Sequence, residues 1–312
     1  MRSEAPEHRV LRLGLGALWG LDAILQTQPA MWTPAVLIGQ IWEGAVQGPA
    51  WLTGLMSWSI RAAEPHLALF NAALIATQAS LAALLLSGPG RTARLGAWGS
   101  LAFGGAVWLF AQGLGGLASP GASLLFGVPG SAFIYAVIAA LLLVPAWAGR
   151  GASAATAVLL AGGAALQLQA PFWQSVGLSA PIAANFMLTP PALRPLLNLA
   201  TRPAMAAPVA LNLGLIAALL AAAAAAWLAP WSRMAMASVL ALLFLLWVTA
   251  QDSALLWSGT ATDPNTLPAV ALLAAAGFAG ARGRQRTTGA TALGGVTHAE
   301  RGIAASVLRR AG

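Results

Sequence analysis

Polar residues in this chain gather at intervals, and between them run apolar stretches too long and too uniform for strands or for the faces of soluble helices. Eight such stretches approach the roughly 20 apolar residues that carry a helix across a bilayer. They cover about 10–26, 67–86, 95–112, 131–147, 152–169, 208–228, 234–251 and 266–281. The last is short enough to need tilt or local thinning. Lipid satisfies no backbone group, and the ten-residue alternation of a barrel is absent, so helices are the expectation. The predicted fold class is therefore all-α, a polytopic membrane protein with eight transmembrane helices.

Composition supports this reading. The 312 residues are 59% hydrophobic and 8% charged, with a mean hydropathy of +0.76, against about 25% charged in a soluble domain. All sixteen basic residues are arginine, which fits the codon use of a GC-rich genome. If the N-terminus is cytoplasmic, Arg61, Arg194 and Arg202 lie outside and the other thirteen arginines inside. That bias predicts a multi-pass protein of the bacterial cytoplasmic membrane with both termini cytoplasmic. The first stretch carries Asp22 and no small-x-small cleavage site, so it reads as a span rather than a secretory signal. With no cysteine, disulfides, thiolate metal ligation and a Cys nucleophile are excluded. His8, His66 and His298 all lie outside the apolar runs, so no facing pair of intramembrane histidines can hold a b-type haem.

The chain also repeats itself. Leu25-Gln26-Thr27-Gln28 with Trp32 returns as Leu166-Gln167-Leu168-Gln169 with Trp173, an offset of 141 that also carries Asn71 onto Asn212. Trp108, Ala111 and Gln112 match Trp247, Ala250 and Gln251 at an offset of 139, and Pro129 matches Pro268 at that offset. Matches among Gln, Asn and Trp are costly to obtain by chance. The domain organisation that follows is a four-helix repeat over 1–150, a second over 151–281, and a basic tail over 282–312 that reads as disordered. Four spans return the chain to its starting side, so the copies are parallel, joined by a hinge at Ala148-Gly149-Arg150-Gly151. Gly16 and Gly20, then Gly96, Ser100 and Gly104, recur every fourth residue and predict close helix approach.

Between the first two spans, Thr33-Pro34 opens one helix and Ala50 to Arg61 forms a second, both reading as extracytoplasmic interfacial helices with tryptophans at headgroup depth. Pro190 to Pro203 is their counterpart in the second half. The polar repeats collect at this same end. Gln26, Gln28, Asn71 and Gln112 form one cluster and Gln167, Gln169, Asn212 and Gln251 another, which together predict an outward-opening ligand-binding pocket under the interfacial helices. The alternative for these amides is plain helix-to-helix hydrogen bonding. Acids break the symmetry: Asp22 corresponds to Gly163, Glu43 to Ala184, Glu64 to Met205, and Asp252 to Gly113. Asp22, Glu43 and Asp252 complete the candidate ligand set, Asp22 because an intramembrane carboxylate is a functional candidate by default.

Other motifs are bland. Asp263-Pro264-Asn265-Thr266 reads as a turn in which Asn265 or Thr266 caps the last span. Gly88-Pro89-Gly90-Arg91 is a turn and not a phosphate loop, since no Lys-Ser/Thr pair follows. His66 with Glu43 and Glu64 is too sparse for a metal site, and no catalytic motif or cofactor is evident. The partners expected are the bilayer, anionic lipid at the basic tail and a partner membrane subunit; nucleic acid is not expected.

Arg12-Leu13-Gly14-Leu15-Gly16, with Leu86-Ser87-Gly88-Pro89-Gly90-Arg91 leading into a Gly-rich third span, resembles the four-helix DoxX/DoxD-type membrane proteins over about 100 residues. The whole chain, with Ala261 to Thr266, is similar to multi-pass proteins of GC-rich actinobacteria. The DoxX resemblance implies an accessory or subunit role in membrane redox or envelope chemistry, with a quinone as a possible ligand. A small-solute transporter or channel of two parallel repeats is the alternative, and an interfacial lipid-modifying enzyme using Glu43, Glu64 and His66 is a third.

Overall fold

The computed structural model describes residues 4–46 and 48–285, at 43–46 the backbone alone, and the tail from 286 with His298 lies outside the described residues. Among these the chain is helices and turns without a strand. The helices are α1 (Pro6–Gln26), α2 (Pro34–Val46), α3 (Ala50–Ala63), α4 (Leu67–Leu86), α5 (Arg91–Phe110), α6 (Ser131–Leu143), α7 (Ala148–Leu166), α8 (Ser175–Ala184), α9 (Arg194–Ala206), α10 (Pro208–Leu228), α11 (Arg233–Thr249) and α12 (Thr266–Gln285). Proline opens α1, α2 and α10, where its fixed φ helps and its missing N–H costs nothing. Ser232 caps α11 by accepting the Ala235 N–H at 3.3 Å.

Three helical runs are long and apolar enough to cross a membrane, Ala50–Leu86, Pro208–Leu228 and Thr266–Gln285, and a fourth counts if the bent pair Ser131–Leu143 and Pro145–Leu166 is one span. Eight were expected, and by this measure eight are not present. The apolar run expected to 147 stops at Leu143, because Pro145 cannot continue the helix and the chain turns by 109° there. α11 has 17 residues and falls short by length, while α1 carries Glu7, Arg9, Arg12 and Asp22. The expected hinge at 148–151 is the first turn of α7; the chain changes direction at Val144–Trp147. The expected counterpart over 190–203 holds α9, and a further helix, α8, precedes it.

One end of the bundle, called here the terminal end, is closed by polar contacts. Arg12 donates to Glu4 at 2.8 and 2.9 Å and to the Leu85 carbonyl at 2.6 Å, and His8 Nε2 lies 3.1 Å from the Leu142 carbonyl. The Arg12 guanidinium holds the Glu4 carboxyl below its ordinary value, against a smaller opposing effect of burial. Above this lock Leu11, Leu15, Leu81, Leu85, Ile138 and Leu142 form a dry core. Small residues let the helices close up: a Cβ on Gly20 would stand 3.7 Å from Ala82 Cβ, and one on Gly104 would press on the Ala132 carbonyl at 2.9 Å.

At the opposite, hairpin end several contacts occur twice. Asn71 Nδ2 donates to the Gln26 carbonyl at 3.1 Å and Asn212 Nδ2 to the Gln167 carbonyl at 2.9 Å. Trp108 Nε1 reaches the Pro129 carbonyl at 2.8 Å and Trp247 Nε1 the Pro264 carbonyl at 2.9 Å. Gln112 Oε1 accepts from Ala132 N at 3.3 Å, and Gln251 Oε1 from Leu267 N at 3.4 Å. Pro129 is thus matched by Pro264 and not by Pro268: the α11–α12 connection is shorter than the α5–α6 one, which the sequence offset did not reveal. Each connection begins with a left-handed turn, Gly113 to Gly116 at φ 55 to 75° and Asp252 to Leu255 at φ 47 to 58°.

The connections are exchanged between the halves. The segment before α6 is held by second-half amides: Gln167 donates to Ser123 Oγ, Gln169 to the Ala122 carbonyl at 2.8 Å and Gln251 to the Leu124 carbonyl at 3.0 Å. The segment before α12 returns the contact, its Thr260 carbonyl accepting from Gln40 at 2.5 Å. Thr266 Oγ1 donates to the Gly127 carbonyl where the two segments meet.

Candidate functional site

Beneath α2, α3 and α8 lies a cavity of about 960 Å³. It opens along the exchanged segments and descends into the first half as far as Trp19, Gln78, Phe103 and Tyr135. The spacing of α1 explains its wall, since Trp19, Asp22, Ala23 and Gln26 are three to four residues apart and share one face.

Asp22 does not reach back to the surface. It is buried, and Tyr135 OH donates to its Oδ1 at 3.4 Å. Tyr135 is buried too, edge-on to Trp19 with ring centroids 4.8 Å apart, while Trp19 donates to Ser100 Oγ at 2.9 Å and leans on Phe103 at 5.4 Å. Asp263 faces the same pair from the segment before α12, close enough for its charge to act on both Asp22 and Tyr135. Its Oδ1 accepts the Asn265 N–H at 2.6 Å and its Oδ2 the Thr262 hydroxyl at 3.4 Å. Burial raises the Asp263 carboxyl above its ordinary value, and the hydrogen bonds from Asn265, Ser131 and Thr262 offset only part of that.

Of the expected ligand residues, Asp22, Gln26, Gln112 and Gln251 line this cavity. Gln112 and Gln251 are spent on structure, Gln112 donating to Ser131 Oγ at 2.9 Å and Gln251 to the Leu124 carbonyl. Asn71 and Asn212 sit behind the wall on helix-to-helix bonds, and Gln167 and Gln169 anchor the segment before α6. Gln28 is outside the lining. Asp252 is buried on the far side with Thr189 donating to its Oδ2 at 2.5 Å, and burial raises its carboxyl as well. Glu43 lies in α2, its side chain outside the described residues. No group of three or more His, Asp or Glu able to hold a metal ion occurs among the described residues, and Glu64 and His66 belong to none.

Sequence reasoning missed Trp19, Gln78, Tyr135 and Asp263. The sequence offsets carried the signal for Trp19 and Gln78, whereas the counterpart of Tyr135 follows only from the structural match of Pro129 with Pro264. Trp19, Asp22, Gln78, Ser100 and Tyr135 are answered in the second half by Leu160, Gly163, Leu219, Val239 and Val270. Those four apolar side chains are fully packed, and a Cβ on Gly163 would stand 2.7 Å from Leu124 Cδ2. The second half is therefore solid where the first is polar and hollow. No family model, curated protein or solved structure matches this chain.

Proposed function

We propose that the protein is an integral membrane protein that holds a small ligand in this cavity, as a DoxX-like accessory or subunit of a membrane redox or envelope system. The observation that carries the reading is the contrast between halves: Trp19, Asp22, Gln78 and Tyr135 line a hollow, while at the matching positions Leu160, Leu219 and Val270 are fully packed. A cavity of about 960 Å³ with an apolar wall and a few converging polar groups is the size and character of a small-molecule site. Large apolar side chains exposed around the body, among them Leu69, Val158, Leu213 and Phe244, support contact with lipid. On this reading the helices short of a full span enter the bilayer beside α4, α10 and α12, giving an eight-helix body of two parallel four-helix repeats. The doubled hydrogen bonds of Asn71 and Asn212, and of Trp108 and Trp247, support descent from a tandem duplication. With Arg61, Arg194 and Arg202 at the hairpin end and the other described arginines at the terminal end, the cavity opens outward and both termini are cytoplasmic. Transport is disfavoured, because below Gln78 the path meets the dry core and then the Arg12–Glu4 lock.

The test is native mass spectrometry of full-length protein extracted gently from its own membrane, beside Ala106→Trp, which places an indole in the cavity. A small molecule retained by the wild type and lost in the variant supports the reading. Two equally bare spectra from folded protein refute it.

A further inference from the structure

The chemistry of the cavity narrows its ligand, an inference that rests on the ligand-binding reading above. Its lining holds unpartnered acceptors. Gln26 is 4% and Gln78 6% exposed, both line the cavity, and the Oε1 atom of each is buried without a hydrogen-bond partner. Buried amide oxygens are ordinarily satisfied, so two orphans in one wall leave places for donors to fill. Asp22 lines the same cavity, 2% exposed, and its one hydrogen bond among the described residues is the long contact from Tyr135. Asp263 adds a second carboxylate to the lining. No arginine or histidine is among the lining residues, in a chain with sixteen arginines.

Charge is then decisive. Two carboxyls share a space with an apolar wall and no fixed cation, an arrangement that either a proton or an entering cation relieves. A bare metal ion finds too few hard ligands and far too much room. Trp19, Phe103 and Phe126 also line the cavity, and aromatic faces attract cations and pack against apolar bodies. A quinone fits poorly, since it brings no positive charge to a lining with two carboxylates.

We infer that the cavity takes an organic cation, its ammonium group donating to Asp22, Gln26 and Gln78 and its apolar body lying against Trp19, Phe103 and Phe126. The ammonium enters past Asp263 and stops at the Asp22–Tyr135 floor, where the aromatic pair and the dry core below prevent further passage.

The matched probes are 2-phenylethylammonium, 2-phenylethanol and phenylacetate, titrated into full-length protein in lipid nanodiscs by calorimetry. The ammonium is expected to bind at least about tenfold more tightly than the alcohol, as charge-assisted hydrogen bonds exceed neutral ones, and phenylacetate is expected not to bind. Asp22→Asn should cost the ammonium about tenfold or more and leave the alcohol unchanged. Because a core carboxylate variant can misfold, Gln78→Leu is the second variant. It installs the residue found at the matching second-half position, Leu219, and should weaken the ammonium alone. Equal binding of alcohol and ammonium, or ammonium binding indifferent to both variants, overturns the inference. So does a retained native ligand that 2-phenylethylammonium does not displace, which leaves the ligand-binding reading standing. A wild type that is bare in mass spectrometry and binds none of the probes removes both.

Discussion

Replacing Asn212 with alanine removes one hydrogen bond whose context fixes its worth. The Asn212 amide donates at 2.9 Å to the carbonyl of Gln167, the residue that ends α7, and no other described hydrogen bond reaches that carbonyl. The side chain is fully buried, so water cannot replace the donor. Polar bonds between helices in a bilayer are worth about 0.6 kcal/mol on average and up to about 1.7. The orphaned carbonyl adds about 1–3 kcal/mol. Asn212 Oδ1 has no partner either, so the truncation also removes one unsatisfied acceptor and returns part of the cost. The expected net loss is about 2 kcal/mol. Asn71→Ala meets the same geometry at the Gln26 carbonyl, 3.1 Å away, with its own Oδ1 also unpartnered, and should cost the same. The two sites share no partner, so the double variant should lose about 4 kcal/mol. Reversible unfolding in mixed micelles, followed by tryptophan fluorescence, measures all three. A single variant costing under about 0.5 kcal/mol would refute the assignment of these amides to packing. Unchanged stability with lost probe binding would instead return them to the ligand site.

Two further outcomes can be stated. Burial holds the Asp263 carboxyl above its ordinary value of 3.8, so stability is lost as the pH rises from that value through the folded-state pKa. Asp263→Asn keeps the acceptor for the Asn265 N–H and should raise the melting temperature of ligand-free protein at pH 7.5, with a gain that shrinks on acidification; thermal scans across pH check this, and a gain that grows in acid refutes it. In the paired left-handed turns, Gly115→Ala would drive a Cβ into the Pro129 carbonyl at φ 59° and should cost more than about 3 kcal/mol. Ala254→Gly, at φ 58° in the other turn, should stabilise by up to about 1 kcal/mol by relieving the left-handed penalty. Denaturant midpoints of the two variants decide it.

Helix starts were the most legible part of the chain. Leu67–Leu86 and Pro208–Leu228 coincide with their apolar runs, because proline, histidine or a turn residue bounds each run in the sequence itself. Hydropathy overran at Val144–Trp147, where apolar residues continue through a proline break. The exchange of connections could not be read, since amides such as Gln169 reveal polarity but not which half they bind. Asp263 was legible as a turn residue, and it is one through the Asn265 N–H. That it also faces Asp22 depends on a loop crossing to the other half. Tyr135, the single tyrosine of the chain, was the clearest signal left unused.

The exchange of connections also bears on synthesis. The first half leaves the ribosome with its hollow already lined by Trp19, Asp22, Gln78 and Tyr135, but without the wall that Thr260 to Asn265 supplies. The amides that hold the segment before α6 arrive later still than that segment, at Gln167, Gln169 and Gln251. The cavity therefore comes into being only once the second half is made, when the Thr266 hydroxyl meets the Gly127 carbonyl. A chain truncated before that point exposes a half-built acidic cleft, and occupancy of the finished one marks a molecule whose two halves have found each other.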